Sequence, residues 1–229
     1  MKNIVILTGA GISAESGIKT FRGSDGLWEN HKVTDVATPE AWQRDPELVL
    51  RFYNERRKQI RLAQPNKAHR ALVDLEKRFN VNVVTQNIDD LHERAGSSKV
   101  MHLHGEINQS RSSIDSQLVY EIDDVEMKMG KMCELKSQLR PNIVWFGEAV
   151  PMIESAIPLM HKADFVIVIG TSLQVYPAAG LLDFASPMAK IYNIDPNSVM
   201  KSNGDNITII KQNAGVALPV LVQQLLAES

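Results

Sequence analysis

One cysteine, Cys133, occurs in the 229 residues. A single thiol excludes an intramolecular disulfide and any all-cysteine metal site built within one chain. No apolar stretch approaches the roughly 18 residues of a membrane span, so no membrane association is expected. The opening MKNIVILTGAG has only Lys2 ahead of an apolar run that soon ends in glycines. That run is too short for a secretory leader and reads as a buried strand. Basic residues do not cluster either: 25 Lys and Arg against 27 Asp and Glu leave a net charge of -2. No nucleic-acid partner is indicated. What remains is a cytoplasmic globular protein, expected as a monomer, whose 44% hydrophobic and 23% charged residues are ordinary values.

Short apolar runs alternate with amphipathic segments. Strands are expected at residues 3–7, 82–85, 165–170, 190–194 and 206–210, and the run FVIVIG at 165–170 suits a strand buried on both faces. Helical patterns occupy residues 69–79 and 219–227. This succession implies a parallel sheet with right-handed crossovers. Two stretches break the rhythm. Residues 26–65 are rich in helix formers without a good strand, and residues 106–141 are polar, irregular and methionine-spotted.

After the first strand, Thr8-Gly9-Ala10-Gly11-Ile12-Ser13-Ala14 has the G-x-G-x-x-A spacing of a dinucleotide loop. The first glycine permits a tight turn, the second lets the backbone approach a pyrophosphate, and the small third residue lets helix pack on sheet. By itself the spacing fits a merely tight strand-to-helix turn equally well. A hydride-transferring enzyme would also place an acidic residue about 20 residues on, at the end of a second strand. Here the region reads TFRGSDGLW, a loop in which Asp25 sits among Gly23, Ser24 and Gly26. That counts against a dehydrogenase. The expected fold class is α/β: a Rossmann-like parallel sheet with helices on both faces, from residues 1–27, 66–105 and 142–229. A small second domain would form from the two insertions, residues 28–65 and 106–141.

Six ordered blocks point further: GAGISAESGIKTFRGSDGLWE, Thr85-Gln86-Asn87-Ile88-Asp89, Leu103-His104-Gly105-Glu106, Ile143-Val144-Trp145-Phe146-Gly147-Glu148, Gly170-Thr171-Ser172 and Asn193-Ile194-Asp195. In that order they resemble the signature blocks of the sirtuins, across nearly the full chain. The resemblance implies an NAD-dependent protein-lysine deacylase that consumes NAD as a co-substrate and acts on acylated-lysine proteins or peptides. In the implied mechanism the acyl-lysine carbonyl oxygen attacks the anomeric carbon of the nicotinamide ribose and nicotinamide leaves. His104 then serves as general base on a ribose hydroxyl, a task suited to an imidazole with an ordinary pKa near 6.5. The products would be free lysine, nicotinamide and an O-acyl-ADP-ribose.

Residue by residue, the resemblance assigns catalysis to His104 and Asn87. It assigns NAD contacts to Gly9, Ala10, Gly11, Glu15, Thr20, Phe21, Arg22, Trp28, Gln86, Asn87, Ile88, Asp89, His104, Gly170, Thr171, Ser172, Asn193, Ile194, Asp195 and Ala214. Gln86 and Asn87 would hold the nicotinamide ribose, Asp89 the nicotinamide amide, and Arg22 phosphate and ribose. Taken without the family, the same residues admit plainer roles. His104 could be structural like its neighbour His102, Asn87 and Asp89 loop caps, Arg22 a solvated charge, and Trp145 and Phe146 plain core. Mono-ADP-ribosyl transfer and a non-catalytic NAD or ADP-ribose sensor are the alternative activities; intact His104, Asn87 and Asp89 favour deacylation.

Acyl selectivity would lie on a helix carrying Arg51-Phe52-Tyr53-Asn54-Glu55-Arg56-Arg57. Tyr53 and Arg56, three apart, share one helix face. The pair resembles the tyrosine and arginine of class III sirtuins, which recognise a carboxylate at the acyl tip; a guanidinium can take it bidentately. Ala37 matches a small pocket residue of that class. Together they imply desuccinylase or demalonylase activity with weaker deacetylation. Periodicity alone favours a basic, solvent-facing helix, since Arg51, Arg57, Lys58 and Arg61 surround the pair. Val144, Trp145, Phe146, Gly147 and Glu148 are expected as a strand edge that pairs with the substrate peptide.

Most sirtuins carry two Cys-x-x-Cys pairs that bind zinc. Here residues 108–115 contain no cysteine, residues 132–136 contain only Cys133, and no histidine lies between Gly105 and Gly147. No zinc is expected. Such a site is worth roughly 10–16 kcal/mol in zinc-finger peptides. An apolar cluster of Ile114, Leu118, Val119, Tyr120, Ile122, Val125 and methionines is expected in its stead.

Overall fold

Apolar runs become central strands because both of their faces are covered. The structure, a computed structural model, describes residues 1–19, 27–28, 31–123, 126–201 and 205–228. Strand β1 (Asn3–Thr8) sends Ile4 and Ile6 into one apolar cluster, and Val5 and Leu7 into a second on the opposite face. Then follow α1 (Gly11–Ala14), β2 (Leu27–Trp28), β3 (His31–Lys32), α2 (Val33–Val36), α3 (Pro39–Arg44), α4 (Pro46–Leu62), α5 (Lys67–Leu75) and β4 (Asn80–Thr85). Next come α6 (Leu91–Ala95), β5 (Val100–His102), β6 (Gly105–Ser112), β7 (Val119–Glu121), β8 (Leu139–Ile143) and α7 (Met152–His161). The chain ends with β9 (Phe165–Ile169), a 3-10 helix (Ala178–Phe184), β10 (Lys190–Ile194), β11 (Ile207–Ile210) and α8 (Ala214–Ala227).

Six parallel strands form one sheet in the order β11-β10-β9-β1-β4-β5. The chain runs outward from β1 through β4 to β5, returns to the other side of β1 at β9, and runs outward again. This is the doubly wound order, with its reversal between β1 and β9. Helices α5 and α8 cover one face through Ala68, Leu72, Leu218 and Leu221. Helix α7 and the 3-10 helix cover the other through Ala156, Met160 and Leu181. The α/β class with helices on both faces is as expected from the sequence. Among the described residues no helix is long and apolar enough to cross a membrane.

Element boundaries shift where a distant partner sets them. Helix α8 begins at Ala214, ahead of Pro219, because the Glu15 carboxylate accepts the Gly215 N–H at 2.7 Å and caps its first turn. Helix α5 starts behind Asn66, whose side chain accepts from the Ala68 N–H while His69 Nδ1 accepts the Asn66 N–H.

Both insertions are more ordered than their sequences suggest. The first contains the two-residue hairpin β2–β3, where no strand was expected. The second is an antiparallel sheet in the order β7-β6-β8, not an irregular segment. Its apolar cluster differs from the expected one as well. Ile122, Met127, Cys133 and Leu139 pack with Leu50 of α4, and Leu118 and Tyr120 flank them. Ile114 and Val119 are exposed, and Val125 lies outside the described residues.

Polar side chains of α4 fasten this sheet. Asn54 Nδ2 donates to Met127 O at 2.9 Å, and its Oδ1 accepts from Met127 N at 2.9 Å and from Arg57 Nη1 at 2.8 Å. Arg57, 0% exposed, donates Nε to Ile107 O on β6 at 2.9 Å, and Arg61 reaches Ile122 O at 3.2 Å. Burial pushes the Arg57 guanidinium down to about 10. The picture of α4 as a basic, solvent-facing helix is thereby corrected: Arg56 and Arg57 are both buried. Asn54→Ala leaves a buried carbonyl, an amide N–H and a guanidinium N–H without partners. It should cost about 2–3 kcal/mol of stability, read as a lower urea midpoint at unchanged slope.

Candidate active site

Ligands of doubly wound sheets bind beyond the carboxyl ends of the strands, where the strand order reverses. The loops after β1 and β9 meet there. Gly9 N–H donates to Ile169 O at 3.0 Å, Gly11 N–H to Gly170 O at 2.8 Å, and Gly170 N–H to Ile194 O at 3.0 Å. Gly170 has φ +60°, and a Cβ on it would lie 2.5 Å from Ile12 N. The loop after β4 joins them: Gln86 N–H donates to Thr8 O at 2.9 Å, and its Nε2 to Thr171 Oγ1 at 3.2 Å.

Most residues assigned to NAD lie along this edge. Ala10 caps α1 and Ala214 opens α8; Ser172 is exposed beside Thr171. Asn193 is 2% exposed and its Oδ1 has no hydrogen-bond partner among the described residues. Asp195 uses a carboxylate oxygen on the Asn197 N–H at 2.7 Å. Glu15 is occupied as the cap of α8. Thr20, Phe21 and Arg22 lie outside the described residues.

Beneath the loops is a buried polar cluster whose centre, Ser13, the sequence reading missed. Ser13 Oγ donates to Asp89 Oδ2 at 3.0 Å and accepts from Asn87 Nδ2 at 3.3 Å. The Leu91 N–H reaches Asp89 Oδ1 at 3.2 Å, while burial raises the carboxyl above its usual range. Thr85 Oγ1 accepts the Asn87 N–H at 3.0 Å and the Thr8 hydroxyl at 2.8 Å. Ile88 O accepts the Ile107 N–H at 2.9 Å, joining this block to β6. Only the small-residue position inside the glycine loop hinted at Ser13.

His104 follows β5 with Nδ1 3.0 Å from Gln86 O. A carbonyl only accepts, so Nδ1 carries the proton and Nε2 the lone pair. Burial lowers the imidazole below its ordinary value, which keeps it neutral near pH 7. Nε2 has no hydrogen-bond partner among the described residues.

Tyr53, Arg56 and Ala37 are brought together with Trp28 and Trp145 in one buried group. The Arg56 guanidinium lies over the Trp28 ring, 5.1 Å from its centroid, and Trp28 meets Tyr53 edge-on at 6.2 Å. Trp145 Nε1–H donates to Tyr53 Oη at 3.1 Å. The block after β8 is not the strand that was expected. β8 ends at Ile143, because the N–H groups of the next residues turn inward: Val144 to His104 O, Trp145 to Glu148 Oε2 and Phe146 to Ala37 O. Glu148 is engaged by Arg140 at 2.7 Å and Arg111 at 3.1 Å. Burial works to raise its carboxyl, yet Arg140 holds it below the usual range. Arg140 in turn lies over the Trp145 ring at 3.3 Å. Among the described residues no group of three or more His, Cys, Asp or Glu is placed to hold a metal.

A glycine cradle at the point where the strand order reverses defines a dinucleotide-binding α/β protein. A model of the Sir2 family matches residues 9–177. An NAD-dependent protein deacylase of Helicobacter pylori is 54% identical over 226 residues, covering 99% of this chain and 98% of its own. One of Bacteroides thetaiotaomicron is 51% identical over 231 residues, covering 99% of each. Among solved structures, a mutant Sir2 homologue in complex with ADP-ribose matches with TM-score 0.89 at 39% identity, covering 99% of this chain and 93% of that one. A Sir2 complex with a p53 peptide and NAD+ matches at 0.78 and 33%, covering 98% and 92%. The chain belongs to the Sir2 family.

The cradle yields a direct test. Gly170→Ala adds a Cβ in the left-handed region against Ile12 N, and should cost about 2 kcal/mol or more of stability by urea unfolding.

Proposed function

We propose that this chain is an NAD-dependent protein-lysine deacylase that prefers acidic acyl groups such as succinyl and malonyl. The observation that carries the reading is the fixed tautomer of His104: Nδ1 is spent on Gln86 O at 3.0 Å, and Nε2 keeps its lone pair. The surrounding residues fit NAD. Glycines let the β1 and β9 loops close on each other, the buried Asn193 Oδ1 is an acceptor without a donor among the described residues, and Asp89 offers a buried carboxyl suited to an amide N–H. Solved relatives in complex with NAD or ADP-ribose support the assignment.

When bound, NAD supplies an ADP-ribosyl group with nicotinamide as its leaving group. His104 Nε2 takes a proton from a ribose hydroxyl. Asn87, its amide set by Ser13, orients the ribose with Gln86, and Asp89 orients the carboxamide. Thr20, Phe21 and Arg22 belong to the phosphate side by their sequence block. The exposed Phe146 with Gly147 offers the surface for the acyl-lysine peptide.

Tyr53 and Arg56 make the acidic-acyl end. Because Trp145 fills an acceptor position of Tyr53 Oη, the phenol proton is left to donate to a carboxylate, and burial holds the phenol well above its ordinary value, hence protonated. Arg56 supplies the charge and Ala37 the room. No zinc belongs to this reading, since the Asn54, Arg57 and Arg61 bonds fasten the second insertion; nor does a stable oligomer or a compartment other than the cytoplasm.

Two outcomes follow. Arg56→Met should lower turnover of succinyl-lysine peptide about 100-fold and leave acetyl-lysine turnover close to wild type, by mass spectrometry; Trp145→Phe should cost about 10-fold on succinyl alone. Equal losses on both acyl groups would overturn the preference. As to pH, a base held below its ordinary 6.5 stays competent in mildly acidic solution. The acid limb of kcat/KM should therefore fall below pH 6.5, and His104→Ala should lose turnover across the whole pH range.

A further inference from the structure

His102 ends β5 and, after the buried Leu103, His104 follows in the turn that leads into β6. Each holds one of two successive carbonyls. His104 Nδ1 is 3.0 Å from Gln86 O, and His102 Nδ1 is 2.8 Å from Asn87 O. Both Nδ1 atoms therefore carry protons. The rings differ in the other nitrogen. His102 Nε2 lies 2.8 Å from Glu93 Oε1 on α6 and so faces an acceptor with both nitrogens, whereas His104 Nε2 has none among the described residues.

We propose that the Glu93–His102 pair is a positioning device for the deacylation: as an imidazolium gripped by Glu93, His102 clamps the Asn87 carbonyl and with it the turn on which Asn87 and the His104 tautomer depend. The inference rests on His104 and Asn87 being the reactive centre proposed above. The groups facing His102 are Glu93 and His92 of α6, Asp89 ahead of that helix, and Glu106 of β6. Burial disfavours charge on His102, but Glu93 and the Asn87 carbonyl outweigh it and raise the imidazole above its ordinary value. Once that proton is lost, a lone pair confronts the Glu93 carboxylate and the clamp weakens. The charged clamp is complete at low pH and fails as pH rises through the raised value. It sets an alkaline limb opposite to the acid limb of His104.

The test measures kcat and KM for an acyl-lysine peptide and NAD from mildly acidic to alkaline pH. His102→Ala should lower kcat about 10- to 100-fold with little change in either KM. His102→Asn, whose amide can donate to the same carbonyl without titrating, should recover most of kcat and flatten the alkaline limb. Glu93→Gln, at a half-exposed helix position that threatens folding least, should move that limb to lower pH. An alkaline limb unchanged in both His102→Asn and Glu93→Gln, with His104→Ala inactive, would overturn the clamp while leaving the deacylase reading intact. Full turnover by His104→Ala would instead overturn that reading.

Discussion

The hydrogen bond from Gly11 N–H to Gly170 O, 2.8 Å long, is the contact on which the functional edge depends. It joins the loops of β1 and β9, neighbours in the sheet whose crossovers run in opposite directions. Two side chains cannot fit between these backbones, since a Cβ on Gly11 would lie 2.5 Å from Gly170 Cα. Once the loops are stitched, Gln86 binds both, to Thr8 O and to Thr171 Oγ1, and the histidine behind it is aimed through the Gln86 carbonyl. The order runs from sheet topology to loop contact to proton position.

A second constraint acts on the insertions. Small modules need support beyond their own core to hold their shape. Here one helix serves: α4 presents Leu50 to the apolar cluster of the antiparallel sheet and Asn54, Arg57 and Arg61 to its backbone. Burying a guanidinium is costly unless its donors are used, and Arg57 meets that cost by spending Nε on Ile107 O and Nη1 on Asn54. The other face of the same helix turns Tyr53 and Arg56 toward Trp28 and Trp145. Structural support and the proposed acyl end thus share one helix, at adjacent positions.

What the sequence made legible follows from range. FVIVIG and NIVIL read as buried strands because two-sided burial leaves a continuous apolar run. The ordered blocks read as a site because a family compresses long-range geometry into short strings. Ser13, His92 and Arg57 were illegible, because each is polar, and its burial is licensed by a partner far away in the chain: Asp89 for Ser13, Thr8 for His92, Ile107 for Arg57. The start of α8 was missed for the same reason, its cap being Glu15. The antiparallel sheet of the second insertion escaped because its strands carry Gln109, Ser110, Arg111 and Ser112, residues with no alternation to read.

That sheet does more than fill space. Gly105, with φ +81°, opens β6 directly after His104 and pairs with Ile143 of β8 so closely that a Cβ would collide with the Asn142 carbonyl. Val144 N–H then donates to His104 O at 2.9 Å, so the backbone of His104 is held from the β8 side while its ring is held from the β4 side by Gln86. As the proposed base, a histidine fixed at both ends would lose little freedom on reaction, and little reorganisation would remain for the transition state. The β6–β8 pairing reaches the proposed chemistry in this way: it brings Val144 to the backbone carbonyl of His104.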